Sequence, residues 1–195
     1  MKKSDSRGKG ALSYYPLEPK RWKDLEKLFG ERGACGGCWC MSWRISRREY
    51  EQQKGAGNKR TMKQLVRNRE QIGVLVYKNR EPIGWCAVAP RESYARLENS
   101  RVLKRIDNTP VWSIVCFFLA KEFRRQGYSS KILKGVVAHC RNLGAKVIEA
   151  YPIIPYSSHM PAAFAWTGFL SAFMKAGFVR ERGWSKSRPI VRYYL

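Results

Sequence analysis

The chain has 195 residues, 44% hydrophobic and 13% aromatic, which is enough for one well-cored domain and too apolar for a disordered chain. Lys and Arg number 38 against 15 Asp and Glu, and the net charge of +23 favours polyanionic company such as nucleic acid or phosphate and disfavours a polycationic ligand. Cut at 60 and 130, the pieces hold 15 basic against 7 acidic residues, 13 against 6, and 10 against 2, so the excess belongs to the whole fold and not to a tail. A solvated basic surface accounts for it as readily as a bound polyanion does.

The opening MKKSDSRGKG is basic, no apolar stretch of signal-peptide length follows it, and no run reaches the length of a membrane span. We therefore expect a cytoplasmic protein with no membrane partner. Residues 1–12 read as a flexible lead and 13–195 as a single domain, with a natural division at 71/72. Leu17 to Gly30 carries Trp22, Leu25, Leu28 and Phe29 on one helical face and stops at glycine. The Cys/Trp segment after it reads as a strand, and in Cys38-Trp39-Cys40-Met41-Ser42-Trp43 the cysteines fall on one face and the large residues on the other. Ser46 to Gln53 forms a short helix, Lys54 to Gly57 breaks it, and Asn58 caps a second helix holding Met62, Leu65 and Val66. Gly73 to Tyr77 and Pro82 to Ala89 are strands of a hairpin turned at Lys78 to Glu81. Arg91 to Arg105 is polar, a loop with a short helix.

Trp112 to Leu119 is almost unbroken Val, Ile, Phe, Cys and Leu, a strand buried on both faces. Phe123 to Ser130 follows as a basic, glycine-bearing loop, and Ile132, Leu133, Val136 and Val137 then recur at helical spacing. Ala145 to Tyr151 is a further strand closed by Pro152 and Pro155, Pro161 to Ala176 is helical, and Phe178 to Arg182 and Ile190 to Tyr194 form a last pair of strands. This order gives an α/β fold of the mixed type, a mostly antiparallel central sheet with helices on both faces.

The strand–loop–helix passage carries the strongest chemical signal. A helix N-terminus leaves backbone N–H groups unpaired at a partly positive end, and a glycine there lets phosphates approach. The passage is therefore an anion cradle suited to a pyrophosphate. Its residues Arg124-Arg125-Gln126-Gly127-Tyr128-Ser129 resemble the R/Q-x-x-G-x-G/A signature of the GNAT acyl-CoA N-acyltransferase superfamily, with Ser129 in place of the final Gly or Ala. Phe173-Met174-Lys175-Ala176-Gly177-Phe178 is similar to that family's Y-x-K-x-G-F ending. The resemblance spans Ile72 to Leu195. It implies a GNAT-like sheet with a splayed strand pair, an acyl-CoA-binding core over 72–195 and acceptor-side helices with the Cys/Trp segment over 13–71. It also implies acetyl-CoA as the acyl-donor substrate, and a primary amine, not identified, as acceptor. The backbone of Phe117, Phe118 and Leu119 would hold the pantetheine arm. The amides of Arg125, Gln126, Gly127, Tyr128, Ser129 and Ser130 would hold the pyrophosphate, with charge from Arg124 or Arg125.

The catalytic residues are less plain. Phe173 stands where the family has a tyrosine acid, and the strand before the loop has no carboxylate. Glu149 is the best-placed base, and Tyr151, Tyr156 and His159, near the hydroxyls of Ser157 and Ser158, are candidates for the acid. Glu149 could equally be a paired structural glutamate, and His159 a helix cap. Six cysteines are unusual for such a chain. Cys86, Cys116 and Cys140 read as small core residues, whereas Cys35, Cys38 and Cys40 have C-x-x-C-x-C spacing open to metal or redox chemistry. Three ligands without a nearby histidine argue against zinc, so no metal is expected. An acyl-Cys116 intermediate would need a base that the neighbouring sequence lacks, which leaves direct attack of the amine on the thioester. Two alternatives stand beside this: acetylation of aminoacyl-tRNA or another nucleic-acid-linked amine, and a CoA- or nucleic-acid-binding regulator that has lost catalysis. The chain could also pair as a homodimer.

Overall fold

The computed structural model describes residues 11–156 and 165–195. Its elements in chain order are β1 (Leu12–Pro16), α1 (Trp22–Phe29), α2 (Arg47–Gln52), α3 (Ala56–Arg67), β2 (Val74–Lys78), β3 (Glu81–Pro90), α4 (Ala95–Glu98), β4 (Trp112–Leu119), α5 (Tyr128–Asn142), β5 (Val147–Ala150), α6 (Leu170–Ala176), β6 (Val179–Arg180) and β7 (Val191–Tyr194). The strands form one sheet in the order β1-β2-β3-β4-β5-β7-β6. Every pairing is antiparallel except β4 with β5.

Alternation along the strands builds two cores. Leu75, Trp85, Ala87, Val115 and Tyr151 face α1, α3 and the cysteine segment, joined by Trp22, Leu25, Phe29, Trp39 and Met62. Val74, Val76, Ile83, Ile114, Ile148 and Val191 face α5 and α6, joined by Ile132, Leu133, Val136 and Phe173. Tyr14 of β1 lies so close over α5 that a Cβ on Gly135 would fall 2.1 Å from its ring, and its hydroxyl donates to the Lys131 carbonyl at 2.9 Å.

The hairpin, the buried fourth strand and the long helix after it match the sequence expectation. Other elements do not. The cysteine segment is a series of turns and not a strand, because Gly33, Ala34, Gly36, Gly37, Trp39 and Cys40 all take positive φ. It folds back on itself, with Cys38 N–H donating to Cys35 O and Met41 N–H to Cys38 O. Asn58 is not a cap. Gly55 occupies that position, and Asn58 is buried within α3, donating through Nδ2 to the Gly37 carbonyl at 3.2 Å and so fastening α3 to the cysteine turns. The late helix begins at Leu170, since Phe169 is extended and bridges to Ile153. A short first strand, Leu12–Pro16, is absent from the sequence expectation, and it takes the last residue of the lead, Leu12, and Ser13 to Pro16 into the sheet. Ser157, Ser158 and His159 lie outside the described residues.

Candidate active site

The parallel pairing of β4 with β5 covers only Trp112 with Ile148, Ser113 with Glu149 and Ile114 with Ala150. A register shift beside Val115 bends β4 at that point, and Pro152 follows soon after the end of β5. Beyond Ile114 the two strands no longer pair, which leaves the β5-facing edge of the second half of β4 without a strand neighbour, a notch in the pairing of the sheet. Backbone groups alternate in direction along a strand. The amide of Phe117 points to the notch and donates to the Trp166 carbonyl at 2.7 Å. The Leu119 carbonyl accepts from Arg124 Nε at 2.8 Å. By the same alternation Phe118, paired with Trp85, turns its backbone to β3. Of the three residues expected along a pantetheine arm, Phe117 and Leu119 thus face the notch through their backbone, and Phe118 only edges it.

At the end of β4 a 3-10 turn, Lys121–Phe123, leads to the basic, glycine-bearing loop ahead of α5. Arg125 (φ 61) and Gly127 (φ 75) are both left-handed, and α5 starts at Tyr128 with no side chain capping it. Among the described residues the amides of Arg125, Gln126 and Gly127 find no acceptor, and the first amides of α5 have none by construction. Successive amides curled by left-handed residues ahead of a helix make an anion-binding concavity. Such a concavity suits an oxyanion group. Arg124 is engaged by the Leu119 carbonyl, so Arg125 supplies the exposed charge, and the side chains of Gln126 and Ser130 bond within the loop. Lys78, which the sequence reading missed, reaches in from β2: its Nζ meets the Tyr128 hydroxyl at 2.6 Å and lies 5.5 Å from the centre of the Phe123 ring.

Glu149 and Tyr151 lie on the opposite side of the seam, fully buried. Glu149 Oε1 accepts from Arg91 Nη1 at 2.9 Å and from the Tyr151 hydroxyl at 2.6 Å, and Oε2 accepts from Arg192 Nε at 2.8 Å. The Tyr151 hydroxyl also accepts from Arg91 at 2.7 Å and lies 2.9 Å from Ser113 Oγ. Burial, and then the Glu149 charge, push the Tyr151 phenol well up, so it stays protonated. Arg91 continues to Glu98, and Arg192 to Asp107. A carboxylate held between two guanidiniums has its lone pairs occupied, which suits a positioning role better than that of a base. Tyr156, by contrast, is 73% exposed. Phe173 is fully buried against Phe178 and carries no proton to give.

The thiols form a chain in the interior. Cys40 Sγ lies 3.1 Å from Cys116 Sγ and accepts from Trp85 Nε1 at 3.2 Å. The bond to Cys40, and then burial, raise the Cys38 thiol far above its ordinary range, and contact with Cys116 does the same for Cys40. Raised thiols are poor nucleophiles and poor metal ligands, and among the described residues no cluster of His, Cys, Asp and Glu is arranged to hold a metal ion. No helix among them is long and apolar enough to cross a membrane. A cleft of about 470 Å³ between α1 and α3, lined by Glu26, Gly30, Trp39 and Lys59, contains none of the notch residues.

The sequence model of the acetyltransferase (GNAT) family matches residues 39–160. No curated protein matches the chain. Among solved structures, the PaiA N-acetyltransferase of Thermoplasma acidophilum in complex with coenzyme A is 15% identical, with 95% of this chain and 99% of that one covered and a TM-score of 0.51. A GNAT-family acetyltransferase of Listeria monocytogenes 4b F2365 is 7% identical over 94% and 95% of the two chains, with a TM-score of 0.57. The aminoglycoside acetyltransferase AAC(6')-Ib in complex with coenzyme A is 16% identical over 94% and 95%, with a TM-score of 0.52. At these identities the likeness is one of fold.

Proposed function

This chain belongs to the acetyltransferase (GNAT) family, and from that membership we propose that it moves an acyl group, acetyl foremost, from coenzyme A to a primary amine. The observation that carries the reading is the loop of unpaired amides at Arg125 to Gly127, set at the mouth of the notch beside β4. Diphosphate held there leaves the pantetheine arm to run along the notch toward the seam, where Phe117 and Leu119 offer backbone partners. An arm that uses the Phe117 amide takes the place of the Trp166 carbonyl.

Direct transfer needs a neutral amine at the thioester carbonyl. The C–N bond forms as the C–S bond breaks, the amine loses a proton, and the departing thiolate gains one. In this reading Glu149 and Tyr151 fix the β4–β5 seam. Tyr156 is the described candidate whose hydroxyl is free to protonate the thiolate. The acceptor-side wall is built from α1, α3 and the cysteine turns.

The test is calorimetry with coenzyme A followed by thiol release from acetyl-CoA across an amine panel, repeated with Tyr156→Phe. Micromolar binding of coenzyme A, with amine-dependent thiol release that falls about 100-fold in Tyr156→Phe, supports the reading. Absence of heat with coenzyme A removes it.

A further inference from the structure

We infer that the amine acceptor carries an anionic oxygen group, a carboxylate or a phosphate, and that this group is held at one end of an indole shelf formed by Trp43 and Trp166, by Arg96 with Arg44 or by Arg188. The inference rests on the acyl-transfer reading and narrows it to a substrate class.

The shelf is built from three chain segments. Arg96 N–H donates to the Trp43 carbonyl at 3.1 Å, and Arg96 Nη1 donates to Ser42 O at 3.1 Å and Ser42 Oγ at 3.2 Å, joining the turn after Cys40 to α4. The Trp43 and Trp166 rings lie 6.0 Å apart at 33°. The Arg96 guanidinium stands over Trp43 and that of Arg188 over Trp166, each at 5.6 Å. The result is a ladder of cation, indole, indole, cation. Through the bond from Phe117 N–H to the Trp166 carbonyl the ladder lies beside β4, and where a pantetheine arm takes that amide the ladder keeps its ring and arginine contacts.

Two independent observations point to an absent anion. First, the arginines of the seam are all paired, Arg91 with Glu98 and Glu149, Arg105 with Glu92 and Glu98, and Arg192 with Asp107 and Glu149. Among the described residues Arg44, Arg96 and Arg188 have no carboxylate partner. Arg44 is 9% exposed, stands 4.7 Å over the Tyr94 ring, and has only the Gln71 and Ile72 carbonyls at 3.4 and 3.5 Å. Arg188 is half-buried. Guanidiniums withdrawn from water without a counter-ion are costly, and a ligand anion offsets that cost. Second, three buried polar atoms in these same segments have no partner: Trp43 Nε1, the Tyr94 hydroxyl and Thr167 Oγ1. Each can donate a hydrogen bond, as an anionic acceptor requires.

The experiment uses the full chain loaded with coenzyme A and follows tryptophan fluorescence. The probes are N-acetylphenylalanine against N-acetylphenylalaninamide, and O-phosphoethanolamine against ethanolamine, so that carboxylate and phosphate are read separately. We expect at least one charged probe to bind ten times or more tighter than its neutral twin. The substitution at the end the anion occupies, Arg96→Gln or Arg188→Gln, should bring that ratio near one with coenzyme A affinity unchanged. Lys175→Gln, an exposed cation on α6, should leave the ratio as it was, which separates a local site from the general basic field. Equal binding of charged and neutral probes, no binding of either charged probe, or a ratio that survives both arginine substitutions overturns the inference. Failure of coenzyme A itself to bind falls on the acyl-transfer reading instead.

Discussion

Replacing Glu149 separates a structural carboxylate from a catalytic one. In the folded chain it accepts from Arg91, Arg192 and Tyr151, and all four groups are at most 3% exposed. Removal of one partner from a buried ion pair costs about 3–5 kcal/mol, because the charge left behind is neither hydrated nor paired. Arg91 keeps Glu98 and Arg192 keeps Asp107, so the lower end, about 3 kcal/mol, applies to Glu149→Ala. For a chain of this length that corresponds to a fall in Tm of about 6–12 °C. Glu149→Gln retains the shape and the acceptor oxygen and should lose less than Glu149→Ala. Thermal unfolding followed by circular dichroism gives the shift, and kcat and KM are measured on the same samples well below Tm. The reasoning fails if Glu149→Gln melts within about 2 °C of the parent while kcat falls 100-fold or more and the acidic limb of the pH–rate profile disappears, since that is the signature of a general base.

Gly127→Ala puts a side chain at φ 75, a conformation that costs an L-residue about 1–2 kcal/mol. The turn should relax and coenzyme A should bind about tenfold more weakly, equivalent to about 1.4 kcal/mol; unchanged calorimetric affinity would sink the cradle. Gly135→Ala drives a methyl into the Tyr14 ring, so Tm should drop by the overpacking cost of about 1–3 kcal/mol, and adding Tyr14→Ala should recover part of it. Arg192 holds the Asp107 carboxyl well below the usual range, and Arg105 does the same, more mildly, for Glu92. The folded pKa values are depressed, so this stabilisation is complete above an unfolded-state value of about 4 and is lost as pH falls toward the folded one. Urea titrations between neutral pH and pH 3 should show that loss, and Asp107→Asn should flatten it.

The passages legible in the sequence are those whose pattern is local. Val74–Lys78 and Glu81–Pro90 are apolar runs around a four-residue turn, and the run from Trp112 through Gly127 to Val137 contains strand, loop and helix without interruption. The cysteine turns misled because period-two spacing of cysteine and tryptophan imitates a strand. Their left-handed residues are held by distant partners instead, such as Lys59 over Trp39 at 5.1 Å and Asn58 on the Gly37 carbonyl. Arg91 passed as a loop residue since its partner Glu149 is 58 positions away. Lys78, Trp166 and Arg188 make their contacts only across the fold, Lys78 with Tyr128, Trp166 with Phe117 and Trp43, and Arg188 with Trp166. No periodicity in their own neighbourhoods announces them.

The three-residue contact between β4 and β5 divides the sheet mechanically. On one side lie β1 to β4, on the other β5, β7 and β6, and between them run three residue pairs together with the Ser113–Tyr151 contact and the Arg91–Glu149 bridge. The buried Arg91–Glu149 pair is an ionic clasp across this hinge line, and it resists separation of the two halves. Being withdrawn from solvent, the clasp is little screened by salt. The stiffness of the hinge should therefore hold across ionic strengths that weaken every contact on the strongly basic exterior.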